Sequence, residues 1–310
     1  MESLRDIKQQ IKAINSTKQM MLTMKMVSSA RIRSAQQTML NGRPFAQKMA
    51  SLIDNLRKDI QDEKNPFRQN KYYRYFDDSS GDKNKVGLIL ITGDKGLCGA
   101  FNAVTLRETL KWIRENKDKE KYIFIIGKKG ADFVRRIKMP NLHIVCELIN
   151  VFPHISYVHA SLIKEKLEQC TVQENLSKVD LIYNNFKSKV DLIYNNFKSV
   201  ASQELVNKTF LPFNFEEIEG EDDLQNFIFE PGIMEVLITL LPRYIGANIY
   251  RFLLESQAAE LAARMNAMES AANNAQEIAD NLNVKLNKVR QEGITNEINE
   301  IVGGANALNN

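Results

Sequence analysis

Three cysteines in 310 residues, Cys98, Cys146 and Cys170, stand far apart and form no C-x-x-C pair. That excludes a disulfide scaffold and most zinc sites, and it predicts a reducing compartment. Histidine is as scarce: His143, His154 and His159 form no recognised metal-binding motif, so surface or packing roles are expected of them. No stretch approaches the ~18 consecutive apolar residues of a membrane span. The opening Met1-Glu2-Ser3-Leu4-Arg5-Asp6 carries acid early and starts no apolar run, which predicts no secretory signal. The serines lie in no G-x-S-x-G elbow, and no histidine lies near Cys98 in sequence. Charge of one sign is missing too: 42 Lys and Arg against 38 Asp and Glu leave +4, too little to argue for nucleic acid. What remains, 44% apolar and 26% charged, is the composition of an ordinary soluble protein of one to three domains.

Glycine and proline are also missing from two long stretches, 1–41 and 247–292. Breaker-free ends around a punctuated middle predict long helices flanking a globular domain. At the N-terminus Leu4, Ile7, Ile11 and Ile14 form one helical face. Lys18 and Lys25 take the next heptad places, with Met20, Met21, Met24, Met26 and Val27 around them. Gly42-Arg43-Pro44 reads as an interruption, after which Met49, Leu52, Ile53, Leu56 and Ile60 resume helical spacing. At the other end Leu254, Ala258, Leu261, Met265, Met268, Ala272, Ala275, Ala279, Leu282, Leu286 and Val289 repeat at intervals of 4 and 3. Such a repeat predicts a left-handed coiled coil, and its three successive alanines require a close partner. At Gly293 the stripe is expected to slip by one residue and continue as Ile294, Ile298 and Ile301. Residues 1–43 hold eight Lys and Arg and two acids, whereas 254–310 hold four and eight. Opposite charge favours pairing of the two ends with each other over self-pairing. The expectation is one antiparallel coiled coil of 1–58 with about 245–303; a homodimeric coil is the alternative.

The middle reads as α/β, with apolar runs of strand length at Val86–Thr92 and Tyr122–Ile126, each followed by a helical stretch, 103–116 and 130–138. Residues 62–84 look like an exposed connection. Ser177–Lys187 (SKVDLIYNNFK) is repeated letter for letter as Ser188–Lys198. Two copies do not make a solenoid, so one copy is expected in the sheet and the other as an arm or edge strand. The division expected is 1–61, 62–230 and 231–310. Gly93-Asp94-Lys95-Gly96-Leu97-Cys98-Gly99 lies between a strand and a helix, where a phosphate loop would lie, but its spacing fits neither G-x-G-x-x-G nor G-x-x-x-x-G-K-[ST]. A tight strand–helix turn accounts for the glycines equally well. Beyond the heptads, Ile294–Leu308 is apolar and nearly free of charge after Glu300, the composition of a binding surface.

Three groups of residues then carry a family resemblance. They are Ile7–Ile14 with Thr17-Lys18 and Met24–Ala30; Gly96-Leu97-Cys98-Gly99-Ala100-Phe101-Asn102; and, at the C-terminus, Leu254-Glu255-Ser256, Ala263–Met268, Arg290–Ile298 and Glu300–Ala305. Over essentially its whole length the chain resembles the gamma subunits of F-type ATP synthases; only the tandem copy departs from the pattern. The resemblance implies a Rossmann-like α/β middle domain that binds no nucleotide and needs no cofactor, with a long antiparallel coiled coil of the two ends. It implies a central rotor with no catalytic site of its own. The partners implied are three alpha and three beta subunits, an epsilon subunit and a c-ring, with no nucleic acid and no membrane contact except through that ring. Contacts with the alpha–beta ring would fall on Met24, Lys25, Arg290, Gln291, Thr295 and Glu297. Ile298, Ile301, Val302 and Leu308 would form the bearing at the tip, and Arg43, Pro44 and Phe45 would lie near the foot. With no transit peptide visible, the implied location is peripheral, on the cytoplasmic face of a bacterial inner membrane. A coiled-coil adaptor with a non-catalytic α/β domain is the alternative reading.

Overall fold

A computed structural model describes residues 3–59, 65–77, 81–152, 154–187, 202–213, 230 and 232–308. The chain divides into two compact units, Met1–Ser29 with Arg264–Asn310, and Ala30–Ala263. Two helices belong to both: α1, Leu4–Asp59, and α5, Ile233–Leu308. Neither is broken by its proline. Pro44 lies within α1 and Pro242 within α5, so the interruption expected at Gly42-Arg43-Pro44 does not occur.

In the smaller unit the two helices run antiparallel. Lys18 Nζ donates to Gln276 Oε1, and Lys25 Nζ donates to Glu269 Oε1 at 2.7 Å. A step of seven along α1 is thus matched by a step of seven backwards along α5. Ile7, Ile11, Ile14, Lys18, Met21, Lys25 and Ser28 are the inward positions of α1. On α5 Met268, Ala272, Ala275 and Ala279 are buried, with Leu282, Leu286 and Val289 half-buried. Ala272 and Ala275 lie between the levels of the two lysines, and Ala279 lies just beyond that of Lys18. Small residues there leave room for lysine stems to lie across the seam while their charged heads reach polar partners. The same register puts Leu4 level with Arg290. α1 begins there, and among the described residues α5 continues unpaired by it to Leu308, about 27 Å at 1.5 Å per residue. The coil therefore ends well before 303. The next heptad place after Val289 falls on Gly293 itself, and Ile294, Ile298 and Ile301 are exposed instead of continuing a seam.

The larger unit is built on a five-stranded sheet in the order β3-β2-β1-β4-β5. The strands are β1 Asp82–Ile91, β2 Glu120–Ile126, β3 Leu142–Leu148, β4 Leu176–Lys187 and β5 Ser202–Leu211. The first four are parallel and β5 is antiparallel on the β4 edge. Helices α2 (Phe101–Glu115), α3 (Lys128–Val134) and α4 (Tyr157–Gln173) make the crossovers. The continuous apolar run of β1 is explained by burial of both faces. Val86, Leu88 and Leu90 meet Trp112 and Ile113 of α2 and Ala131 and Val134 of α3. Ile89 and Ile91 face a second core made by α4, α5 and the end of α1, with Ile53, Leu56, Leu167, Leu241 and Phe252.

Residues 65–77 are not the exposed connection expected. Phe67, Tyr72 and Tyr75 are buried in that second core, and Tyr75 and Phe76 pack on Phe213. An aromatic-rich stretch between charged segments reads as a linker when a burial partner, here Phe213, is distant in sequence. The first copy of the repeat supplies β4, and the second lies outside the described residues.

Candidate functional site

In a parallel sheet of this order ligands bind beyond the carboxyl ends of the strands. Here that place is filled from within. β1 is followed by Thr92-Gly93-Asp94, and Asp94 is buried at 7% exposure. Its Oδ1 accepts from the backbone N–H groups of Lys128 (2.9 Å) and Asn150 (2.8 Å), and its Oδ2 from that of Phe152 (2.9 Å). One carboxylate thus ties the loops after β1, β2 and β3, taking the amides that a phosphate would need. Gly127 stands beside it at φ 99°, where an added Cβ would come 2.1 Å from the Thr92 carbonyl oxygen, so only glycine fits.

The rest of the glycine-rich loop is held by Asn102. Its Oδ1 accepts from Gly93 N (2.9 Å), while its Nδ2 donates to Lys95 O (3.3 Å) and reaches Cys98 Sγ (3.2 Å). Cys98 is buried, and Leu97 (φ 61°) and Gly99 (φ 56°) make the left-handed bends. At Gly93 an added Cβ would lie 2.8 Å from Glu260 Oε1, so this loop abuts α5. The loop is a strand–helix turn that packs on a long helix. A second tie to α5 is Glu255, whose Oε2 accepts from the Tyr183 hydroxyl at 2.6 Å. Burial, then the neighbouring Glu255 carboxylate, raises that hydroxyl's pKa well above the ordinary tyrosine value. The histidines have local partners: His143 lies 2.7 Å from Glu120, and His159 closes a capping box with Ser156 at the start of α4.

The sequence-derived contact residues fall on the helical unit, in two settings. Met24 is half-buried, and Lys25 sits on the seam with Glu269, its side chain 34% exposed. Arg290, Gln291, Thr295 and Glu297 are all exposed, Arg290 at the level of Leu4 and the other three on the part of α5 beyond it. Ile298, Ile301 and Val302 are exposed at 54%, 71% and 53%. Phe45 is exposed at 64%; the side chains of Arg43, Pro44 and Leu308 lie outside the described residues. Sequence reasoning missed the roles of Asp94 and of Lys18. The signal for Lys18 was its heptad place; for Asp94 it was an acid in the first turn after a buried strand.

An ATP synthase family model matches residues 3–308. The ATP synthase gamma chain of Elusimicrobium minutum is 51% identical over the full length of both chains. That of Chlorobium phaeobacteroides is 34% identical over 99% of each. Among solved structures, a chain of the Euglena gracilis mitochondrial ATP synthase matches with a TM-score of 0.61 at 20% identity, covering 98% of this chain and 94% of its own. A chain from the Tetrahymena thermophila central stalk and c-ring matches at 0.55 and 24% identity, covering 81% of this chain and 99% of its own. At those identities the structures speak for the fold. The full-length relatives speak for the family: this chain belongs to the ATP synthase gamma chains.

Proposed function

We propose that the chain is the central rotor shaft of a rotary ATP synthase, coupling ion flow through a c-ring to ATP synthesis or hydrolysis in a ring of three alpha and three beta subunits. One observation carries the reading. Past Arg290, α5 leaves its partner helix and displays Ile294, Ile298, Ile301 and Val302 at 49–71% exposure. A lone helix with an apolar tip needs a surrounding surface to cover it, and a ring with a central cavity supplies one. The chain carries no catalytic site of its own in this reading; it moves, and the ring reacts.

The coiled-coil adaptor reading is disfavoured by the seam. Its inward positions are already filled by the chain's own two ends, so the seam itself is not open to a second copy. Among the described residues no helix is long and apolar enough to cross a membrane, and we place the subunit peripherally, on the cytoplasmic face of a bacterial inner membrane. An epsilon subunit and the c-ring would meet the foot, near Phe45.

Arg290, Gln291, Thr295 and Glu297, with Met24 and Lys25 lower on the coil, are the contacts we assign to the ring; Ile298, Ile301, Val302 and Leu308 are the bearing. Contacts that are made and broken in every turn must each be modest, and a hydrogen bond to a charged group contributes about 1.5–3 kcal/mol. Arg290→Ala and Glu297→Ala should slow ATP hydrolysis by the assembled complex roughly 10-fold, the equivalent of about 1.4 kcal/mol on a barrier. The isolated subunit should melt as before, because neither side chain packs on its own chain. Removal of 306–310 should be tolerated better, since an apolar bearing guides without specific bonds. Wild-type rates for both alanine variants, with a dead complex after trimming, would place the essential contact at the tip instead.

A further inference from the structure

Helices α2 and α3 cover one face of the sheet, and their outer surface carries a groove of about 510 Å³. Its floor is Leu106, Leu110 and Phe133, and Arg107, Lys111 and Arg114 stand along it. The α2 residues among these stand away from its buried positions, Phe101, Thr105, Thr109, Trp112 and Ile113, on the opposite side of the helix, while Phe133 also packs on the core beneath. The cations are spaced by four and three, one to each turn, about 6 and 4.5 Å apart along the axis. Lys111 has weak intrahelical partners, Glu108 at 3.6 Å and Glu115 at 3.9 Å. Glu108 is also engaged by Asn207 Nδ2 of β5 at 2.9 Å. The guanidinium groups of Arg107 and Arg114 meet no acceptor among the described residues. The charge is regional. Residues 101–115 and 128–138 hold eight Lys and Arg against three acids, an excess of five, larger than the +4 of the entire chain.

We propose that this groove docks an acidic amphipathic helix from a partner subunit of the assembled complex. An apolar ridge of such a helix, spaced i and i+4, would lie on Leu106, Leu110 and Phe133. Acids one turn apart beside that ridge would face the row of cations. Charge complementarity of this kind sets orientation and speeds encounter. The floor distinguishes the expected guest from nucleic acid, which would use the cations but needs a series of stacking platforms, where the groove offers two leucines and the single aromatic Phe133. The inference rests on the shaft reading for its setting, because that reading supplies the complex.

The test uses purified complex containing the full chain, with photoreactive benzoylphenylalanine in place of Leu110 and, separately, of the exposed Ala103. After irradiation, mass spectrometry should identify one cross-linked segment of another subunit, rich in acids at helical spacing beside apolar residues. Arg107→Glu combined with Arg114→Glu should reduce the yield about 10-fold while ATP hydrolysis by the complex persists. A complex that hydrolyses ATP yet gives no adduct from either position would overturn the proposal. So would an adduct with phospholipid, with nucleic acid or with a segment lacking acids, or a yield indifferent to the charge reversal. Failure of the unsubstituted chain to enter any complex would count against the shaft reading, a separate outcome.

Discussion

Asp94→Ala is expected to destabilise the α/β unit by about 3–6 kcal/mol, because three backbone N–H groups lose a charged acceptor and unsatisfied donors cost about 1–3 kcal/mol each. The loss is large against a typical total of ~5–15 kcal/mol. It is concentrated at one point: the amides of Lys128, Asn150 and Phe152, from the loops after β2 and β3, all converge on this carboxylate. Asp94→Asn should fall between. Its carbonyl oxygen can still accept from Lys128 and Asn150, but its NH₂ group would face the Phe152 N–H. Urea denaturation of the full chain, followed by the fluorescence of Trp112 in the core, reads both variants. Equal midpoints for the three proteins would mean that water or the backbone satisfies the loops, and that the carboxylate has no structural duty.

The second large effect is expected on the coil. Changing Ala272, Ala275 and Ala279 together to Leu should destabilise the helical unit by at least about 3 kcal/mol, since overpacking typically costs ~1–3 kcal/mol per site and adjacent layers share the strain. These alanines are 2%, 7% and 2% exposed, with no space for extra methyl groups. The added bulk would also displace the stems of Lys18 and Lys25 and separate their heads from Gln276 and Glu269. Thermal melting followed by far-ultraviolet circular dichroism should show early loss of helix. The α/β unit should keep its own transition, because its sheet and second core use none of the three positions. An unchanged melting profile would contradict the seam described here.

Much of this was legible because the signals were local. The 4-and-3 repeat of 254–289 fixes α5 without reference to the rest of the chain, and the apolar run of Val86–Ile91 can be nothing but a strand buried on both faces. Other features depend on partners far away in sequence. Tyr75 and Phe76 pack on Phe213, far away in sequence, so composition alone made 62–84 a connection. Strand β3 was missed because it is an edge strand, with His143 and Ile144 exposed, and so lacks a continuous apolar run. Pro44 misled because a proline in a long helix can be tolerated when packing elsewhere holds the helix on both sides. The end of the coil was misplaced for a simpler reason. Heptad spacing shows where a partner would lie, but only the register of Lys18 with Gln276 and Lys25 with Glu269 shows where the partner stops.

That unaccompanied end of α5 is central to the functional account, which requires the whole subunit to turn inside a fixed ring. The direct measurement is rotation in a single complex. The alpha–beta ring is fixed to a surface, and a bead is attached through a cysteine introduced at Leu97, which is 65% exposed on the α/β unit. Native Cys98 and Cys170 are buried, and Cys146, half-buried, is replaced by serine so that only the new thiol is labelled. On addition of ATP the account predicts rotation in one direction with three pauses to the turn, and longer pauses in the Arg290→Ala complex. A complex that hydrolyses ATP while the bead shows only undirected motion would contradict it.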